Sequence, residues 1–230
     1  MNTILNLLNV NTIFFTIFGY PMSYVEFFGT ILNIATVWLL VKKKILNWPV
    51  GIVAVVLFAA LFYQLNLYAD LFEQFYYFVT GFWGWYLWSK AGKKDREKDE
   101  PEDIIVKRNT KNENIKWVAG IAVFTLIGTW VMSNINVWLP KYFPEPASLP
   151  LLDVFTTVMS FSAQILMIKK RLENWVLWII VDIIAIGLYW YKGVPFVAVL
   201  YAIFLVLASK GFIEWRKTYK KLNDKKSKGE

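Results

Sequence analysis

The chain has 230 residues, 57% of them hydrophobic and 18% aromatic, with a net charge of +8. That apolar content exceeds what a water-soluble domain carries and suits a surface facing lipid. With no cysteine and no histidine, there is no disulfide framework, thiolate nucleophile, Cys/His zinc site, histidine-held haem or Ser-His-Asp triad.

In chain order, residues 1–21 come first. Ile4–Tyr20 is apolar but short, and Asn2, Asn6 and Asn9 recur at helical spacing. The spacing predicts an amphipathic helix lying in the outer interface, with an eighth span as the alternative. There is no Lys/Arg n-region or small-residue cleavage site, so removal as a signal peptide is not expected. Seven runs then approach the roughly 20 apolar residues a spanning helix needs. They are Met22–Val41, Ile45–Leu65, Leu67–Trp88, Trp117–Trp138, Leu151–Ile168, Trp175–Tyr191 and Pro195–Ile213. The expected organisation is a first three-helix bundle at 22–88, a charged linker at 89–116 and a connecting helix with external loop at 117–150. A second three-helix bundle at 151–213 and a basic tail at 214–230 follow. Nearly every residue from Lys93 to Asn114 is polar, which predicts a solvated, disordered linker.

The cations decide the orientation. If the spans are right, Lys42–Lys44, the linker, Lys169–Arg171 and the tail all fall on one side. Only Lys141 and Lys192 of the 25 Lys/Arg fall on the other. The positive-inside rule makes the rich side cytoplasmic and the C-terminus internal. The basic patches are therefore topology signals, and no nucleic-acid partner is expected.

A shift of 127 residues aligns the chain with itself without a gap. Glu26 falls on Asp153, Lys42-Lys43-Lys44 on Lys169-Lys170-Arg171, Asn47-Trp48 on Asn174-Trp175, Gly84 on Gly211 and Trp88 on Trp215. Each copy holds three spans and one span joins them, so both copies cross the membrane in the same direction. Parallel repeats of this kind frame a cavity between two bundles, where transporters hold substrate near the midplane. The expected fold is thus an all-α integral membrane protein of seven core helices, arranged three plus one plus three. A duplicated scaffold without a pathway is the bland alternative.

Trp48, Leu67-Tyr68-Ala69-Asp70, Gln74 and Gly84-Trp85-Tyr86-Leu87-Trp88 stand out in the first half. In the second half Glu173-Asn174-Trp175-Val176-Leu177-Trp178, Asp182, Tyr201, Gly211 and Trp215 do so. These signatures resemble the PnuC family of bacterial nicotinamide riboside transporters, over about 23–89 and 151–217. The resemblance implies a fold related to the SWEET sugar transporters and a homotrimer with one pathway per protomer. It also implies facilitated uptake across the bacterial inner membrane, with a cytoplasmic kinase trapping the vitamin by phosphorylation. Thiamine is the alternative cargo, also a cationic aromatic.

Nicotinamide riboside joins a cationic pyridinium to a polar ribose, so a site needs aromatic faces, hydroxyl partners and a negative charge. Tryptophan is the strongest cation–π partner, worth about 0.5–2 kcal/mol. Trp175, Trp178, Asp182 and Tyr189 form one stripe of the sixth helix. An acid as deep as Asp182 costs at least ~2.5–3.5 kcal/mol on insertion scales. Three readings fit it: a complement to the substrate cation, an orienting contact to a substrate hydroxyl, or a structural hydrogen bond to a residue such as Asn33 or Ser160. Belt anchoring explains Trp175 almost as well as substrate contact. Gln74 and Tyr201, equivalent under the repeat, can serve ribose hydroxyls, with Tyr77 and Phe204 one turn deeper. Asn33 is polar within an apolar span, facing inward or bonding a neighbouring helix. Trp48, the repeat partner of Trp175, completes the candidates. Trp88, Trp117, Trp138 and Trp215 read as belt residues. No phosphate-cradling glycine motif, catalytic constellation, metal site or cofactor site is found.

Overall fold

The computed structural model describes residues 6–17, 19–65, 68–96, 105–143, 146, 149–191 and 195–227. The N-terminal expectation is the first to change. Where a helix over 1–21 was predicted, Ile13–Ile17 (β1) and Tyr20–Ser23 (β2) pair as an antiparallel hairpin. The run Ile-Phe-Phe-Thr-Ile is β-branched and aromatic, which suits a strand. Gly19 takes a φ of 83° in the turn, a conformation glycine adopts without strain. Asn9 bonds the backbone N–H of Asn11 at 2.9 Å, a local contact that competes with helix. Residues 1–5 of that predicted helix lie outside the described residues. The hairpin is tied down by Gln64, which accepts from the Val10 N–H at 3.1 Å and donates to the Leu8 carbonyl at 2.7 Å. Phe14 and Phe15 pack on Phe27, with ring centroids 5.2 and 5.3 Å apart. The Tyr20 hydroxyl donates to Glu26 at 2.6 Å. Burial and that bond push the phenol above its ordinary range.

Among the described residues seven helices follow: α1 Tyr24–Val41, α2 Asn47–Gln64, α3 Tyr68–Arg96, α4 Lys111–Trp138, α5 Pro150–Ile168, α6 Glu173–Tyr191 and α7 Pro195–Ser227. By length and composition, six of them can cross a membrane. Among the described residues α3 falls outside that set, being rich in Tyr, Trp and Gly and carrying Asp70, Glu73 and Gln74 in its first turns. Two helices outrun their expected ends. α3 continues past Trp88 into the linker, and α7 continues past Ile213 through most of the basic tail. Lys, Arg and Glu are good helix formers, and Glu214 pairs with Lys217 at 3.2 Å one turn on.

The chain forms two compact units, Met1–Ile104 and Ile105–Glu230. In unit 1 the hairpin sits on α1, and α1, α2 and α3 pack in sequence. In unit 2 α4 packs on α5, α5 on α6 and α6 on α7.

The internal repeat appears within each unit as the same turn. α1 and α5 end with caps of identical geometry at Lys42 and Lys169. Lys43 and Lys170 follow, both at φ 58°. The next N–H then reaches back five residues, Lys44 to Leu39 at 2.9 Å and Arg171 to Leu166 at 2.8 Å. This is a Schellman closure, which satisfies carbonyls left free at a helix end. Asn47 and Asn174 then donate from Nδ2 to the carbonyls of Lys44 and Arg171, each at 2.6 Å.

The end of the linker is not solvated, contrary to its composition. Val106 and Leu172 are buried. Lys107 bridges to the α5–α6 turn, its N–H donating to the Lys170 carbonyl at 3.0 Å and its carbonyl accepting from Leu172 at 2.9 Å. Glu173 accepts from the Asn109 N–H at 3.1 Å and faces Arg108 at 3.5 Å. Arg171 pairs with Glu113 at 3.1 Å and donates to the Arg108 carbonyl at 2.6 Å. Thr110 and Glu113 form a capping box that starts α4 before its apolar run. Polar composition reads as exposure when the partners lie some sixty residues away. Residues 97–104 lie outside the described set.

Candidate functional site

The candidate residues fall into three groups. Tyr189, Tyr201 and Phe204 come together between α6 and α7. Tyr189 stacks on Tyr201 with centroids 5.4 Å apart and planes 13° apart, and Phe204 meets Tyr201 edge-on at 6.1 Å. Trp178 lies further along α6, half-buried against a cluster of Ile121, Met159 and Val181 from α4, α5 and α6. Asp182 sits between these aromatic groups on α6, one turn from Trp178 and two turns from Tyr189.

Asp182 is 3% exposed. Its carboxylate makes no hydrogen bond or ion pair to any described residue. The predicted structural bond to Ser160 is therefore not formed, although Ser160 is itself buried. A carboxylate at this depth requires a cation or a hydrogen-bond donor, and the described side chains supply neither.

Trp175 and Trp48 occupy a different setting. The Trp175 ring lies against Gly211 and meets Trp215 edge-on at 5.6 Å, while Trp48 lies against Gly84 and meets Trp88 at 5.3 Å. A methyl group at either glycine would overlap the indole, so only glycine permits this approach. Trp88 and Trp215 are 1% and 0% exposed. They are packed wedges rather than the lipid-facing belt residues their positions suggested, because the opposing Trp fills the face a belt residue would offer to lipid.

The remaining candidates lie in unit 1. Gln74 lines an open groove of about 400 Å³ on α2 and α3 with Val55, Ala59, Leu71 and Phe78, and its amide reaches the Asp70 carbonyl at 3.4 Å. Tyr77 meets Tyr76 edge-on at 5.6 Å. Asn33 is half-buried on α1.

Composition alone gave no sign of two further groups. The Thr125 and Thr129 hydroxyls, one turn apart on α4, are buried without a partner among the described residues. So are Asn174 Oδ1 and the indole N–H groups of Trp48 and Trp175. A Thr pair at i, i+4 in an apolar helix was the available signal; such hydroxyls usually bond their own helix. Among the described residues no group of acids is placed to hold a metal ion.

A family model described as nicotinamide mononucleotide transporter matches residues 23–217. The chain belongs to that family. It is similar to the nicotinamide riboside transporter PnuC of Escherichia coli (strain K12), 27% identical over 86% of this chain and 87% of the relative. PnuC of Neisseria mucosa is 30% identical over 87% of this chain and 75% of its own. A crystal structure of the vitamin B3 transporter PnuC matches with a TM-score of 0.64 at 27% identity, covering 86% of this chain and 83% of that one. As a member of this transporter family with six helices apolar enough to span, the chain is a multi-pass membrane protein.

Proposed function

We propose that the chain carries nicotinamide riboside across the bacterial inner membrane by facilitated diffusion. The relatives named above support the cargo. The observation that carries the chemistry is Asp182, a buried acid without a partner among the described residues, next to Trp178 on the same helix face. The acid complements the pyridinium charge, and the indole offers it a flat ring. Tyr189, Tyr201 and Phe204 form the neighbouring aromatic wall, and Tyr hydroxyls serve the ribose.

The family description names the mononucleotide, which differs by a phosphate. That group needs cations. Trp178, Asp182, Tyr189, Tyr201 and Phe204 include none, and Asp182 would repel it. The riboside is therefore the better fit.

In this reading the helices form two parallel bundles of three joined by α4, with seven crossings. The repeated Lys turn and tryptophan wedge support the duplication. The turns at Lys43 and Lys170 lie in the cytoplasm with the C-terminus, as the cation distribution supports. The working form is a homotrimer, and a cytoplasmic kinase makes uptake one-way by phosphorylating the cargo. Labelled nicotinamide riboside in proteoliposomes tests the proposal. Saturable entry that excess unlabelled riboside abolishes, and that the mononucleotide and thiamine leave intact, is expected. Entry blocked equally by thiamine would overturn the choice of cargo.

A further inference from the structure

A second groove, of about 600 Å³, lies at the start of α4, and none of the candidate transport residues lines it. Its head is polar and basic: Arg108, Asn109, Lys111 and Asn114. Its tail is apolar: Ile115, Val118, Ala119 and Ala122. On α4 these positions follow helical spacing from Lys111 to Ala122, so they form one stripe along one face. The tail is open to the surroundings, with Ile115 56% and Val118 66% exposed. Ala119 and Ala122 leave a furrow beside those larger side chains.

The charge of the head is unbalanced. Its two cations, Arg108 and Lys111, meet no carboxylate in the lining, and Glu113 of the same turn is engaged by Arg171 at 3.1 Å. Arg108 faces Glu173. Lys111 makes no hydrogen bond or ion pair among the described residues. The capping box fixes the backbone here, so the head is held rigidly. From Lys111 to Ala122 the helix rises roughly 16 Å, about half the roughly 30 Å hydrocarbon thickness of a bilayer.

We infer that this groove binds an anionic phospholipid, with the headgroup phosphate at Lys111 and Arg108 and one acyl chain along Ile115–Ala122. The inference uses the orientation proposed above, which sets this end of α4 in the cytoplasmic leaflet, where anionic lipids gather and juxtamembrane cations attract them. A soluble phosphate would leave the apolar furrow unused, and a zwitterionic lipid would leave the excess positive charge uncompensated.

Native mass spectrometry of the purified full chain tests this directly. The probes are phosphatidylglycerol, phosphatidylcholine of the same acyl chains, and glycerol phosphate as a headgroup without a tail. Phosphatidylglycerol is expected to remain bound where phosphatidylcholine is lost, and glycerol phosphate is expected not to displace it. Lys111→Gln is expected to weaken phosphatidylglycerol about fivefold. Ala119→Trp, which fills the furrow, is expected to weaken it while leaving the number of associated chains unchanged. Equal retention of both lipids, displacement by glycerol phosphate, or unaltered binding in both variants would overturn the inference. A change in chain number with Ala119→Trp would also overturn it, making the face a contact between copies. None of these readouts depends on the identity of the transported vitamin.

Discussion

Asp182 of unit 2 falls at the repeat position that Val55 holds in unit 1, Trp178 at that of Gly51, and Tyr201 at that of Gln74. At the turn end of the same helices the units instead agree closely. Both have the left-handed lysine, the Asn-to-carbonyl bond of 2.6 Å and the Trp–Gly–Trp wedge. The two copies of the repeat agree in the residues that close the turn and form the wedge and differ near the middle of the helices. Burial follows the same division. Among the described residues, unit 1 has one orphaned buried polar group, the Trp48 indole N–H, whereas unit 2 has Thr125, Thr129, Asn174 and Trp175. Asp182 adds an unpaired carboxylate to unit 2. A fold leaves buried polar groups unmet only at a cost of about 1–3 kcal/mol each; since Asn174 and Trp175 belong to the turn and wedge that both units share, the contrast rests on Thr125, Thr129 and Asp182.

Four sets of variants sharpen this contrast. The largest effect is expected where the units are alike. Gly84→Ala and Gly211→Ala each force a methyl group into a rigid indole, and each should destabilise by about 1–3 kcal/mol. Thermal unfolding in detergent reads this, and a difference between the two variants would show that the wedges are not equivalent. Where the units differ, effects should appear in uptake, to which Trp178→Ala adds a loss of stability because the ring packs on Ile121, Met159 and Val181. Trp178→Ala should reduce nicotinamide riboside uptake by roughly tenfold, and Asp182→Asn by a similar factor. The near-isosteric Val55→Thr should change uptake by less than about twofold, a small fraction of 1.4 kcal/mol.

A smaller effect is expected at the docked end of the linker, a strap of residues 105–110 held by Glu173, whose repeat position in unit 1 is Leu46. Glu173→Gln should cost about 1 kcal/mol and speed amide exchange at residues 105–110. Unchanged exchange would mean that the Lys107 bridge holds the strap alone. Last, Lys43→Gly and Lys170→Gly each relieve a left-handed backbone that costs about 1 kcal/mol or more for a side-chain-bearing residue. Each should raise the unfolding temperature slightly, by similar amounts.

Much of the scaffold could be read in the sequence, because the features that make the repeat visible are geometric necessities. The lysine triplet, the Asn-Trp pair and the distant glycine are fixed by one turn and one wedge, so they recur together. The N-terminal hairpin could not be read, since the spacing of Asn2, Asn6 and Asn9 suggested a helix while the β-branched run and Gly19 set the strand and its turn. The docked strap was also hidden. Its residues look solvated until Arg171 and Glu173, far along the chain, are brought to them. Within the candidate site, helical spacing puts Trp178, Asp182 and Tyr189 on one face of α6. The stripe could not tell that Trp175 belongs to the wedge, because that depends on Gly211 of α7. Nor could it find Thr125 and Thr129, which matter only because no described group meets them.

The central claim is that Asp182 supplies the negative charge for a cationic ring. A binding titration that follows tryptophan fluorescence can compare nicotinamide riboside with its reduced, uncharged dihydro form, in the unaltered chain and in Asp182→Asn. The account predicts that the unaltered chain prefers the cation by about tenfold, roughly 1.4 kcal/mol, and that Asp182→Asn binds both forms alike. A preference for the cation that survives the substitution would contradict it.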